Sequence, residues 1–172
     1  MAERLAGDAV AALYASPLAR ARQTADVVAQ RLGLAVIDRD GLKEHDVGVL
    51  SGLTGAEVRE RYPEFVRARS EGRRDIALEG LEPWAAFRVR ADAALDEISA
   101  AHPEQTVAVV THGGVIRVFL RRALDLTHER SLPLAISNAG VTTFDVRDGK
   151  GEAPSPPARL VGLNDTCHLN GL

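Results

Sequence analysis

The sequence predicts an α/β fold, a mainly parallel sheet with helices on both faces, forming one domain over residues 1–172. Three observations carry this. Short, almost wholly apolar runs at 10–15 (VAALYA) and 106–110 (TVAVV) have the pattern of strands buried on both faces. Each run leads straight into helix-start chemistry, and stretches of helical periodicity separate the strands. A chain of 172 residues fits one domain, which at that size buries close to about 70% of its unfolded surface.

Taken in order, residues 1–7 read as the end of a helix, with Leu5 apolar, Glu3 and Arg4 polar, and no capped beginning. The strand at 10–15 stops at Ser16-Pro17, where serine is a good N-cap and proline a good first helical residue. The helix they open runs over 17–32 and ends at Gly33. A short strand follows at 35–37. Residues 42–53 carry two glycines and read as an irregular loop. Thr54 and Glu57 form a T-x-x-E capping box for a helix ending near Tyr62-Pro63. A second short helix spans 64–71, and a loop covers 72–82. Pro83 opens the longest helix, to about residue 101, with Trp84, Phe87, Ala91, Ala94, Leu95 and Ile98 as its apolar stripe. The β-branched strand at 106–110 precedes Thr111-His112-Gly113-Gly114 and a helix bearing Val115, Ile116, Phe119, Leu120 and Ala123 on one face. Residues 141–146 alternate like a strand, 148–157 form a Gly/Pro-rich connection, 159–163 are a last strand, and the tail from Asn164 is irregular.

Composition narrows the function. The net charge of −3 argues against nucleic-acid partners, which call for a dominant positive face. The basic cluster Arg67, Arg69, Arg73 and Arg74 is diluted by Glu71 and Asp75 and reads as a solvated helix end. No apolar run approaches the roughly 20 residues of a membrane helix, so no membrane association is expected. Cys167 is the single cysteine, and no Cys/His spacing suggests a metal, which fits a reducing cytoplasm.

Three segments carry chemistry-bearing residues, two of them at strand ends. His112 is delivered to the C-terminal edge of a buried strand, where open α/β sheets bind ligands. The glycines let a ligand approach the backbone, and the following helix start offers N–H groups and a positive dipole end. Such a histidine suits an anionic group such as phosphate. Arg20 falls in the first turn of the helix after the 10–15 strand, and a guanidinium grips phosphate oxygens with paired hydrogen bonds. Arg22 points about 200° away around the same helix axis. Glu44, in a loop beside a cationic site, could donate a proton to a leaving alkoxide. His45-Asp46 raises a metal-dependent His-Asp phosphohydrolase, but that class is helical and the 106–110 strand opposes it. His102 and His128 read as ordinary surface histidines.

Together these segments resemble the histidine phosphatase superfamily, the group of cofactor-dependent phosphoglycerate mutases and many small phosphatases. The matches are LYASPLARARQTA (13–25), LKEHDVGVLSGLT (42–54), EGLEPWAAFRVR (79–90), VAVVTHGGVIR (107–117), NAGVTTF (138–144) and LNDTCHL (163–169). The resemblance implies a two-step mechanism through a phosphohistidine, with two arginines and two histidines around the phosphate and neither metal nor cofactor. It implies Arg20 as a phosphate-binding arginine and His112 as the second histidine, which binds phosphate without accepting it. Glu44 becomes a proton donor or a carboxylate orienting the nucleophile, and Gly113 offers its backbone N–H.

Two departures stand out. The family opens with a strand ending in Arg-His-Gly, which supplies the phosphorylated histidine; none of the five histidines here follows an arginine. The family pattern places about 30 further residues before Met1, in keeping with an opening in mid-helix. The missing first strand would be central, so residues 1–172 alone are expected to be unstable, rearranged, or joined with a second copy as a homodimer. The other departure is Gly80-Leu81-Glu82, where many members have Gly-Glu-Ser. The expected activity is hydrolysis of a small phosphorylated metabolite by the family's phosphohistidine route. The alternatives are an inactive phosphate-binding pseudoenzyme, an inert remnant, and a mutase-type phosphotransferase, the last disfavoured by the compact segment between Glu44 and His112.

Overall fold

Apolar residues without a break at 12–15 can be satisfied only by cover on both faces, and that is where β1 (Ala12–Ala15) lies. A computed structural model describes residues 1–73, 76–126, 134–146 and 158–170. All four residues of β1 are buried, and it pairs in parallel with β2 (Val36–Asp38) on one side and β3 (Val107–Val110) on the other. Ala12 and Tyr14 face a cluster containing Phe87, Ala91, Ala94, Ile98, Val115 and Val118 from α5 (Trp84–Ala101) and α6 (Gly113–Ala123). Leu13 faces the opposite way, against Val28 of α2 (Ala19–Leu32) and Leu5 of α1 (Ala2–Leu5). Phe87 is fully buried, so its loss would cost about 3–5 kcal/mol. Among the described residues no helix is long and apolar enough to cross a membrane.

Local signals set most boundaries. Gly33 ends α2 at φ +69°, in the left-handed region glycine favours. Thr54 and Glu57 form the reciprocal capping box that opens α3 (Gly55–Arg61), and Pro63 starts α4 (Pro63–Ser70). The 42–53 loop is more ordered than its glycines imply, with 3-10 turns at Asp40–Leu42 and Gly48–Leu50. Gly48 has φ +52°, and a Cβ there would lie 2.3 Å from backbone atoms of Glu79 and Gly80. That close approach lets Val47 bridge to Leu81.

The structure corrects the start of α2. Leu18 is the N-cap, in place of Ser16, and the helix begins two residues later than the Ser-Pro pair implies. The Ser16 hydroxyl accepts the Leu18 N–H at 3.3 Å and is shared with a distant partner described below. The last strand is also longer than expected, since β5 runs Ala158–Asp165 into the supposed tail. The 148–157 connection and His128 lie outside the described residues.

The strands fall into two sheets, β2-β1-β3 and the antiparallel pair β4 (Val141–Val146) with β5. The Thr106 and Val110 carbonyls accept bonds from Ala11 and Ser16 on the β1 side, at 2.9 Å each. By strand alternation the backbone groups of Val107 and Val109 point the other way, where no described strand pairs with them. β3 and β4 both line one large trough.

Candidate active site

Arg20, Glu44, His112 and Gly113 all line this trough. The sequence-nominated residues, drawn from three separate segments, therefore share one cavity. Each is placed by a strand end or by the loop packed beside it. His112 follows β3 and is the N-cap of α6, with its side chain not engaged in capping. It is 7% exposed, and its Nε2 shares a 2.8 Å hydrogen bond with the fully buried Ser16 hydroxyl. Burial, and next the charge of Arg20, hold its pKa below the ordinary 6.5; Glu44 opposes them. The ring is therefore neutral at neutral pH, and an anion arriving between it and Arg20 would relieve both penalties.

Glu44 supplies the cap that α6 lacks. Its Oε2 accepts the Gly114 N–H at 3.1 Å, and its Oε1 accepts the His45 N–H at 2.9 Å. The site needs glycine at 114 for this reason, because a Cβ there would stand 2.0 Å from Glu44 Oε1. A carboxylate thus sits on a helix N-terminus, one of its favoured places, beside the histidine. Gly113, the N–H expected to serve phosphate, lines the trough, and the next N–H, that of Gly114, is the one bonded to Glu44. Among the described residues no carboxylate pairs with Arg20, while Arg22 is engaged by Asp26 at 2.8 Å and Asp38 at 2.7 Å.

Of the other described histidines, His45 and His102 are committed elsewhere, while both ring nitrogens of His168 are buried with no hydrogen-bond partner among the described residues. His45 donates from Nε2 to the Glu82 carbonyl at 2.8 Å and packs against Trp84 and Phe87. Asp46 Oδ1 accepts from Gly48 N, so His45 and Asp46 do not act as a pair. His102, read from sequence as a plain surface residue, is bonded to Tyr14 Oη and Gln105 Oε1, both at 2.9 Å. Among the described residues no group of His, Cys, Asp and Glu could hold a metal ion.

Sequence reasoning missed three members of this constellation. Ser16 was legible only as a cap. Gly114 was half-legible, in the Gly-Gly pair. The Arg90–Glu82 ion pair, at 2.6 Å, links a loop to a helix at a spacing that no periodicity flags.

Comparison with known proteins fits this geometry. Residues 1–155 match the family model described as histidine phosphatase superfamily (branch 1). The chain is 30% identical over 169 residues to phosphoserine phosphatase 1 of Hydrogenobacter thermophilus, covering 98% of this chain and 77% of that protein. It is 35% identical over 141 residues to a metal-independent phosphoserine phosphatase of Arabidopsis thaliana, covering 81% of this chain and 58% of that one. Among solved structures, YhfR of Bacillus stearothermophilus superposes with a TM-score of 0.83 at 25% identity, covering 98% of this chain and 80% of that one.

Proposed function

The chain belongs to the histidine phosphatase superfamily, and we propose that it forms most of a phosphomonoester hydrolase whose phosphorylated histidine lies upstream of residue 1. The observation that carries this is the meeting of Arg20, His112 and Glu44 in one trough, with Glu44 bonded to the start of α6. Two further features support the upstream nucleophile. His45 and His102 already hold other partners. The trough also runs along the unpaired edge of β3, so one added strand would bring its own C-terminal end to the same mouth.

In this reading a histidine nitrogen attacks phosphorus, and the bond to the ester oxygen breaks. The departing oxygen takes the electron pair and a proton from the Glu44 carboxyl. Water then attacks phosphorus, the P–N bond breaks, and Glu44 recovers a proton from that water. Arg20, His112 and the Gly113 N–H hold the phosphoryl oxygens and stabilise the charge that gathers on them. No metal or cofactor is required, in line with the name of the Arabidopsis relative. The substrate is a small phosphorylated metabolite, and the exposed Cys167 thiol suits the reducing cytoplasm.

The full-length gene product should hydrolyse p-nitrophenyl phosphate in the presence of EDTA. His112→Ala should lower that rate about 100-fold or more, the scale for one preorganised group. Residues 1–172 alone should show no turnover above background. An unchanged rate in His112→Ala would move the site elsewhere.

A further inference from the structure

Arg90 does not line the trough, yet its guanidinium is spent on the loop that carries Glu44 and on Glu82, which also grips that loop. An arginine has five N–H donors, and all five are used. Nε and one Nη2 hydrogen hold the two Glu82 oxygens at 2.6 and 2.8 Å. Nη1 donates to the carbonyls of Gly41 at 3.0 Å and Lys43 at 2.8 Å, and Nη2 to that of Glu44 at 3.0 Å. Glu82 extends the grip past Glu44, because its Oε2 accepts the Asp46 N–H at 3.3 Å and its carbonyl accepts from His45 Nε2. At the other end Gly41 is pressed onto α5 so closely that a Cβ would lie 2.6 Å from Ala94 Cβ and 2.8 Å from the Arg90 carbonyl. The backbone is thus fixed on both sides of the one residue whose carboxylate reaches Gly114.

We propose that Arg90 is a positioning residue, which locks the 41–46 backbone so that the Glu44 carboxylate stays on the Gly114 N–H beside His112. This rests on reading Glu44 as the proton donor. Lysine keeps the charge of Arg90 but cannot reproduce its planar fork. Arg90→Lys therefore separates a geometric role from an electrostatic effect on His112.

The test compares two esters in the full-length protein. Cleaving an alkyl phosphate such as O-phosphoserine releases a strongly basic alkoxide that needs a proton, whereas p-nitrophenolate leaves without one. In the first turnover, Arg90→Lys should slow release of serine from O-phosphoserine about 10-fold or more, part of the roughly 100-fold or larger effect of a general acid. The first-turnover burst of p-nitrophenolate should stay within roughly three-fold, and Glu44→Gln should show the same split in the burst. The steady state should slow for both esters, because Glu44 also takes a proton from water. A second reading needs no turnover: the Gly114 amide proton should move upfield in Arg90→Lys as the bond to Glu44 loosens. Equal losses in the first turnover of both esters would overturn the positioning role. If Glu44→Gln shows no split, the proton-donor reading falls and the amide signal decides alone. An unmoved Gly114 signal in Arg90→Lys overturns the proposal whatever the rates do.

Discussion

His112 illustrates how little a residue needs in order to be poised. The strand end hides it, Ser16 fixes its ring at 2.8 Å, and burial followed by the Arg20 charge keeps it neutral. Its folded pKa lies below 6.5, so the unfolded chain takes up this proton first as pH drops. The stability contributed by the neutral ring is complete above the ordinary histidine value and is lost as pH falls through the lowered one. In an NMR titration, His112 should therefore titrate below 6.5 without ligand and move upward when inorganic phosphate is added. A titration indifferent to phosphate would separate the histidine from the anion site. Arg20 and His112 were readable because each follows a recognisable strand, and Glu44 because its loop matches the family resemblance. Ser16 was misread because Ser-Pro before a helix satisfies the local capping rule. Its partner lies 96 residues away, beyond anything local pattern can carry.

At the scale of elements, α6 depends on a cap borrowed from the 41–46 loop. Gly114→Ala should test that loan. The new methyl group would collide with the end of a flexible Glu44 side chain, which can swing aside, and alanine favours the helix by about 1 kcal/mol. The variant should keep its circular-dichroism spectrum while O-phosphoserine hydrolysis falls about 10-fold or more. Element types were largely legible, since Gly33, the Thr54–Glu57 box and Pro63 each act within a few residues. Errors collected where tertiary contacts decide. The first turn of α2 yields to the Ser16–His112 bond, and β5 extends through Asp165 because β4 supplies its partner, Val141. The Glu82–Arg90 grip was invisible for the same reason.

Among the described residues the molecule has a three-stranded parallel sheet and an antiparallel pair, with β3 and β4 lining one trough and β3 an edge strand. Edges of that kind recruit strands from whatever is nearby. Purified as residues 1–172, the chain should associate in a concentration-dependent way, giving more than the monomer mass by light scattering. A monodisperse monomer with a cooperative melt would show that the edge tolerates water. The parallel sheet was foreseeable from two apolar runs, and no described strand pairs with the outer side of β3. The anchorage of residues 41–46 by Arg90 also bears on traffic through this trough. A segment held by so many bonds has no hinge, so it cannot serve as a flap that shuts over a bound ester and reopens after each turnover. In the proposed hydrolase, closure over the ester then falls to other segments of the trough lining.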